Sequence, residues 1–95
     1  MVIVTDEAKA DIREIAIYTE EEWGVKQRDK YLNDLDKTFH KIQQSPHLGR
    51  ERKEIKNGVF SRSFQKHNIF YQLASDHLEI LRVLHHARDV HRAFE

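Results

Sequence analysis

Ninety-five residues with sixteen basic and sixteen acidic side chains carry a formal charge of zero, so no overall field draws nucleic acid to the chain indiscriminately. The absence of cysteine excludes disulfides and thiolate metal sites and fits a reducing compartment. A chain this short is expected to form a single domain over residues 1–95, burying roughly 60–65% of the surface of the unfolded chain.

Charge is unevenly placed along the chain. Residues 1–23 hold Asp6, Glu7, Asp11, Glu14, Glu20, Glu21 and Glu22 against Lys9 and Arg13. Residues 50–67 hold Arg50, Arg52, Lys53, Lys56, Arg62 and Lys66 against Glu51 and Glu54. One acidic end and one basic end either form two solvated faces or let a charged partner meet one side only.

Met1–Val4 is a short apolar, β-branched run that reads as an edge strand, too short for a signal-peptide core or a membrane span. The expectation is a soluble, cytoplasmic protein with no membrane partner. Thr5 or Asp6 caps a helix whose first turn is acidic, as the helix dipole favours. Ala8, Ile12, Ile15, Ala16, Thr19 and Trp23 form one apolar stripe on it, and Gly24 ends it. Tyr31, Leu32, Leu35, Phe39 and Ile42 mark the stripe of a second helix that Ser45-Pro46 stops. So short a link predicts an antiparallel helical hairpin over about 6–44.

Pro46–Arg50 reads as a loop, and Glu51–Asn57 shows no clear alternation. Asn57-Gly58 is a turn signal that opens three consecutive strands, Val59–Phe64, Asn68–Ala74 and Leu78–His85, a sheet core over about 58–86. In the first of these, Phe60, Arg62 and Phe64 alternate with Val59, Ser61 and Ser63. The run Ile80-Leu81-Arg82-Val83-Leu84 predicts a central strand covered on both faces, so the charge on Arg82 requires a partner. Glu79, Glu54 or Asp89 is the expected one. Strict alternation puts Arg82 on one face with Ile80 and Leu84, and His85 on the other with Leu81 and Val83. Residues 87–95 form a polar tail that ends as a helical turn or loosely.

The order β-α-α-β-β-β is an α+β fold: a helical hairpin packed on one face of a small, mostly antiparallel sheet, with Met1–Val4 free to pair in parallel with the last strand. The other sheet face needs cover from loops, the tail or another molecule. Phe39, Phe70 and Trp23 are expected in the core.

Several short stretches recur in family order: Trp23-Gly24, Ser45-Pro46-His47-Leu48-Gly49-Arg50, Ile55, Gly58, His67-Asn68-Ile69-Phe70-Tyr71, Ile80-Leu81-Arg82-Val83-Leu84-His85 and Arg88-Asp89. With them the chain, from about Ala8 to Asp89, resembles the ParE toxins of the RelE/ParE toxin–antitoxin superfamily, known also as plasmid stabilisation toxins. The resemblance implies a cognate, ParD-like antitoxin, usually a ribbon-helix-helix protein, whose C-terminal segment wraps the toxin in a hetero-oligomeric complex. It further implies binding to DNA gyrase and trapping of cleaved DNA complexes. RelE-type relatives instead cut messenger RNA on the ribosome. Phe60-Ser61-Arg62 is similar to the aromatic-Ser-Arg step of some ribonuclease members, where many ParE-like chains have an Arg two residues after the glycine. A metal-independent endoribonuclease is therefore one alternative, and a non-toxic co-repressor is another.

Metal-free RNA cleavage needs a base, an acid and cations about the phosphorane, for which Arg62, Arg82 and His85 are the candidates. For gyrase binding they are Arg82, His85, His86, Arg88, Asp89 and Arg92, at the strand end and tail. For the antitoxin they are Arg50, Arg62, Phe64 and Tyr71, with the antitoxin laid as a helix in a groove beside the hairpin, as a strand on the sheet edge, or both. Each has a structural alternative: His85 as a hydrogen-bonded strand end, Arg88-Asp89 as a local cap. The seven histidines lack metal-binding spacing, so no metal and no cofactor is expected, nor sequence-specific contact with nucleic acid.

Overall fold

The computed structural model describes residues 1–95. Five strands, β1 (Val2–Val4), β2 (Arg50–Glu51), β3 (Val59–Phe64), β4 (His67–Leu73) and β5 (Leu78–His85), form one sheet in the order β1-β5-β4-β3-β2. β1 runs parallel to β5 and every other pair is antiparallel. The helices α1 (Asp6–Trp23) and α2 (Val25–Gln44) form the hairpin, and a four-residue helix α3 (Val90–Ala93) ends the tail. The α+β expectation holds, including the parallel first strand. Glu51–Asn57, without alternation in sequence, leaves β2 after two residues and turns back to β3.

Sequence sets the hairpin locally. Thr5 caps α1, its Oγ1 accepting from the Ala8 N–H at 3.2 Å, and the first turn carries Asp6 and Glu7. Gly24 sits at φ 91°, where a side chain would be strained, and joins the two helices in a single residue. Tyr31, Leu35, Phe39 and Ile42 of α2 and Ala8 of α1 then meet Ile69, Tyr71, Leu78, Ile80 and Val83 of the sheet. Phe60 and Phe64 pack at the edge of this core.

Trp23 departs from expectation. The last turn of α1 stands over a groove rather than the sheet, and the indole is 72% exposed. The face pattern of β5 also differs. Phe70 pairs with Arg82 but Tyr71 pairs with Ile80, so Leu81 is an extra residue in the ladder. This bulge resets the alternation, placing both Ile80 and Val83 in the helix-facing core and sending Arg82 to the opposite side from Ile80. Thr5 holds the bulge from the neighbouring strand end: its N–H donates to the Ile80 carbonyl (3.1 Å) and its hydroxyl to that of Leu81 (2.9 Å).

The face away from the helices buries Val59, Phe70 and Leu84. The tail covers it. Phe94 meets the Phe70 ring edge-on at 5.3 Å, and the Arg52 guanidinium lies 5.3 Å from the same ring. No helix is long and apolar enough to cross a membrane.

Candidate functional site

Three regions concentrate the charged and aromatic side chains that the fold core does not consume. The first is a bridge at the β5 edge. β1 ends at Val4, leaving the β1-side edge of β5 beyond Ile80 without a strand partner, and Asp11 of α1 fills that place. Its carboxylate accepts from the buried Val83 N–H (3.0 Å), from Arg82 Nε (2.8 Å) and from Arg82 Nη2 (2.9 Å). Arg82 Nη1 donates to the Ala93 carbonyl at 2.8 Å, tying the tail to the same ion pair. The partner of Arg82 is therefore Asp11 and not Glu79, Glu54 or Asp89. Glu79 is held by Gln72 and His77, Glu54 by Arg52, and Asp89 caps α3 through the Arg92 N–H. Arg82, a lone charge inside the apolar run of β5, was the sequence signal for a pair; Asp11, with Lys9, Arg13 and Glu14 close by in α1, carried none.

The second region is a groove of about 740 Å³ between the Gly24 end of the helical hairpin and the β3–β4 turn. Ile15, Tyr18 and Trp23 of α1 and Tyr31 of α2 supply its apolar wall, opposite Lys66, His67 and His85. Tyr18 is 62% exposed, so two aromatic rings of α1 face solvent here. Tyr31 is buried at the floor, its hydroxyl 2.9 Å from His67 Nδ1, and burial pushes its phenol up to about 12. The ring of His67 meets that of His85 edge-on at 5.4 Å, and His85 lies 6.4 Å from the ring of His86. Burial, with His85 and His86 adding like charge, holds His67 below the ordinary imidazole range. No three of the histidine and carboxylate side chains converge as a metal ion requires.

The third region is a polar hollow of about 440 Å³ where β2 stops short of the end of β3. Arg50, Arg52 and Arg62 line it with Ser61, Ser63 and Asn68. Arg52 is committed to Glu54 (2.9 Å) and Ser61 Oγ (3.2 Å), whereas Arg50 and Arg62 enter no ion pair.

Arg62, Arg82 and His85 do not converge: Arg62 lines the polar hollow, His85 the apolar groove, and Arg82 is locked to Asp11. His86, Arg88 and Arg92 lie exposed on the tail side, and Asp89 is turned to capping. His85 Nδ1 accepts from the Ala87 N–H at 3.0 Å, closing the strand end. Arg50 is exposed and Phe64 half-buried, its ring 5.1 Å from Tyr31. Tyr71 is the correction: only 1% exposed, with its hydroxyl on the Pro46 carbonyl (2.7 Å), it offers no surface to a partner. Its place is structural, because alternation along β4 points it with Ile69 into the helix-facing core. Tyr18, Trp23 and Gln27 of the groove were missed, since an apolar stripe does not announce where its sheet ends.

A family model described as ParE toxin of type II toxin-antitoxin system, parDE, matches residues 2–90. The chain is 32% identical over 91 residues to Toxin ParE1 of Mycobacterium tuberculosis, covering 95% of this chain and 93% of that protein. It is 35% identical over 78 residues to Toxin ParE1 of Caulobacter vibrioides, covering 82% of this chain and 80% of that one. A solved structure, the chromosomal ParDE TA system from P. aeruginosa, shares the fold with a TM-score of 0.76 at 20% identity, over 88% of this chain and 92% of that chain.

Proposed function

The chain belongs to the ParE toxins of type II toxin–antitoxin systems, and we propose that it acts by binding DNA gyrase and trapping the cleaved DNA complex. As the toxin half of such a pair it has an antitoxin partner, and that partner is the neutralising one. The observation that supports binding over bond-breaking chemistry is the state of Arg82. Its guanidinium is spent on Asp11 and the tail carbonyl, so the candidates for acid–base work on RNA share no common point. What is left free is recognition surface.

Two surfaces divide the work in this reading. Arg88 and Arg92, exposed on a tail that Arg82 and Phe94 fix to the sheet, face gyrase together with His85 and His86. The apolar groove takes an amphipathic helix of the antitoxin, with Tyr18 and Trp23 as the aromatic anchors and Tyr31 at the floor, backed by the ring of Phe64.

The test is a gyrase supercoiling and DNA-cleavage assay on the purified chain, with and without antitoxin. The expected result is loss of supercoiling with breaks that antitoxin reverses. Micromolar folded protein without effect on gyrase sinks the reading, and cut messages on translating ribosomes would replace it. For the tail, R88A/R92A is a cleaner probe than truncation at Ala87, which also uncovers Phe70. The double variant should lose gyrase inhibition while antitoxin affinity stays within about threefold, a change below 1 kcal/mol.

A further inference from the structure

We propose that the polar hollow at the end of β3 is a phosphodiester site, a place where the backbone of a nucleic-acid strand is held without regard to sequence. The three guanidiniums of Arg50, Arg52 and Arg62 surround it, and no carboxylate lines it. Arg52 is already fixed by Glu54 and Ser61, which leaves Arg50 and Arg62 as cations without an anion inside a concave surface. Planar guanidinium forks match the oxygens of a phosphate two at a time.

The backbone adds a donor. β2 pairs with β3 only at Arg50–Ser61 and Glu51–Phe60, so the outer edge of β3 beyond Ser61 is open. The Val59 carbonyl points to that side, accepting from the Arg52 N–H at 2.7 Å, and alternation places the Ser63 N–H on the same side. The Asn68 side chain, whose Oδ1 accepts from the Ser63 hydroxyl at 3.3 Å, keeps its amide N–H groups as neutral donors in a lining where Leu48 is the single apolar residue.

That lining decides between a phosphate backbone and an acidic peptide. A protein segment docks through apolar or aromatic anchors in pockets, which the groove beside the hairpin has and this hollow lacks. Nucleic-acid backbones need the reverse: cations, hydroxyls and backbone N–H groups with no apolar demand. The zero net charge of the chain supplies no general field toward nucleic acid, so binding rests on a local cluster of cations such as this one. In the gyrase reading the strand is the DNA of the trapped complex; the inference rests on that reading only for which nucleic acid is bound.

Fluorescence anisotropy of the purified chain with a labelled single-stranded DNA of mixed sequence, across a salt series, tests the site. Arg50 and Arg62 support no ion pair in the fold, so R50Q/R62Q should keep its thermal midpoint within about 3 °C, the shift for roughly 0.5 kcal/mol. It should lose tenfold or more in affinity, and the slope of log K on log salt should shrink by about 1.4, roughly 0.7 for each phosphate released. R50K/R62K should recover the slope, which counts charge, but not the full affinity, which needs the fork. Unchanged binding or slope in R50Q/R62Q overturns the proposal. So does an acidic Glu-rich peptide that binds more tightly than the oligonucleotide and needs the same two arginines. Gyrase inhibition is scored separately. A wild-type chain that binds DNA through the two arginines yet leaves gyrase active refutes only the gyrase reading. One that inhibits gyrase without binding DNA refutes only this one.

Discussion

Asp11→Ala is the substitution that most directly tests how α1, β5 and the tail are joined. The carboxylate is 8% exposed and accepts three hydrogen bonds, two from Arg82 and one from the Val83 N–H. Its removal leaves a guanidinium and a buried amide without an acceptor. Breaking one side of a buried ion pair costs about 3–5 kcal/mol, and the low end applies because Arg82 keeps the Ala93 carbonyl. About 3 kcal/mol from a total of roughly 5–14 for a chain of this length is a large fraction. Urea unfolding should show that loss, with a thermal midpoint lower by about 12 °C or more. Arg82→Ala should cost a similar amount by stranding Asp11. The double variant should cost about 3–4 kcal/mol rather than the additive ~6, because each residue is expensive chiefly when the other is left behind. Hydrogen exchange at the Val83 amide should accelerate in Asp11→Ala. A loss under 1 kcal/mol, or strict additivity in the cycle, would refute the reasoning that this pair carries the junction.

Gly49→Ala should destabilise by about 1–3 kcal/mol, since the new Cβ collides with Tyr71 Oη and comes within 3.0 Å of the Ser61 carbonyl oxygen. Tyr71→Phe in that background should restore part of the loss, read as a rise in urea midpoint. Trp23→Ser should leave stability within about 0.5 kcal/mol but weaken antitoxin binding tenfold or more by calorimetry; unchanged affinity would remove the groove from the antitoxin interface. His67 has a folded pKa below its ordinary 6.5 because of burial and its histidine neighbours. The unfolded chain therefore takes up this proton at the higher pH, and the contribution of neutral His67 is full above about pH 7, falling as pH drops through 6.5 toward the folded value. His77 is shifted the other way by Asp76 and Glu79, so its contribution is full below 6.5 and lost as pH rises. Comparing wild type with His67→Gln isolates the first effect: the variant should show a flatter stability profile between pH 7 and 5, and an NMR titration of His67 that ends above 6.5 would contradict it.

The elements of the fold were legible because their causes are local. Thr5 and the acidic first turn, the apolar periods of both helices, Gly24 and Pro46 as stops, and the alternating or apolar runs of β3 to β5 each fix φ and ψ within a few residues. The requirement that Arg82 have a partner was equally local: a charge inside a buried strand cannot stand alone. Which partner it took was not. Asp11 and Arg82 lie 71 residues apart, and they meet only because β1 stops at Val4 and a bulge at Leu81 turns Arg82 away from Ile80. A bulge leaves no mark in a period-2 pattern, so alternation rightly grouped Arg82 with Leu84 but wrongly with Ile80. The same limit explains Trp23 and Tyr71: helical and strand periods say which side chains share a face, but where α1 outruns the sheet, and which β4 ring the hairpin covers, follow from packing. Sequence by itself determined the α+β architecture and the family. The tertiary structure decided which cations are spent in holding it together and which, Arg50 and Arg62 in their hollow and Arg88 and Arg92 on the tail, are left for something else, because ion pairing depends on distances that only the folded chain sets.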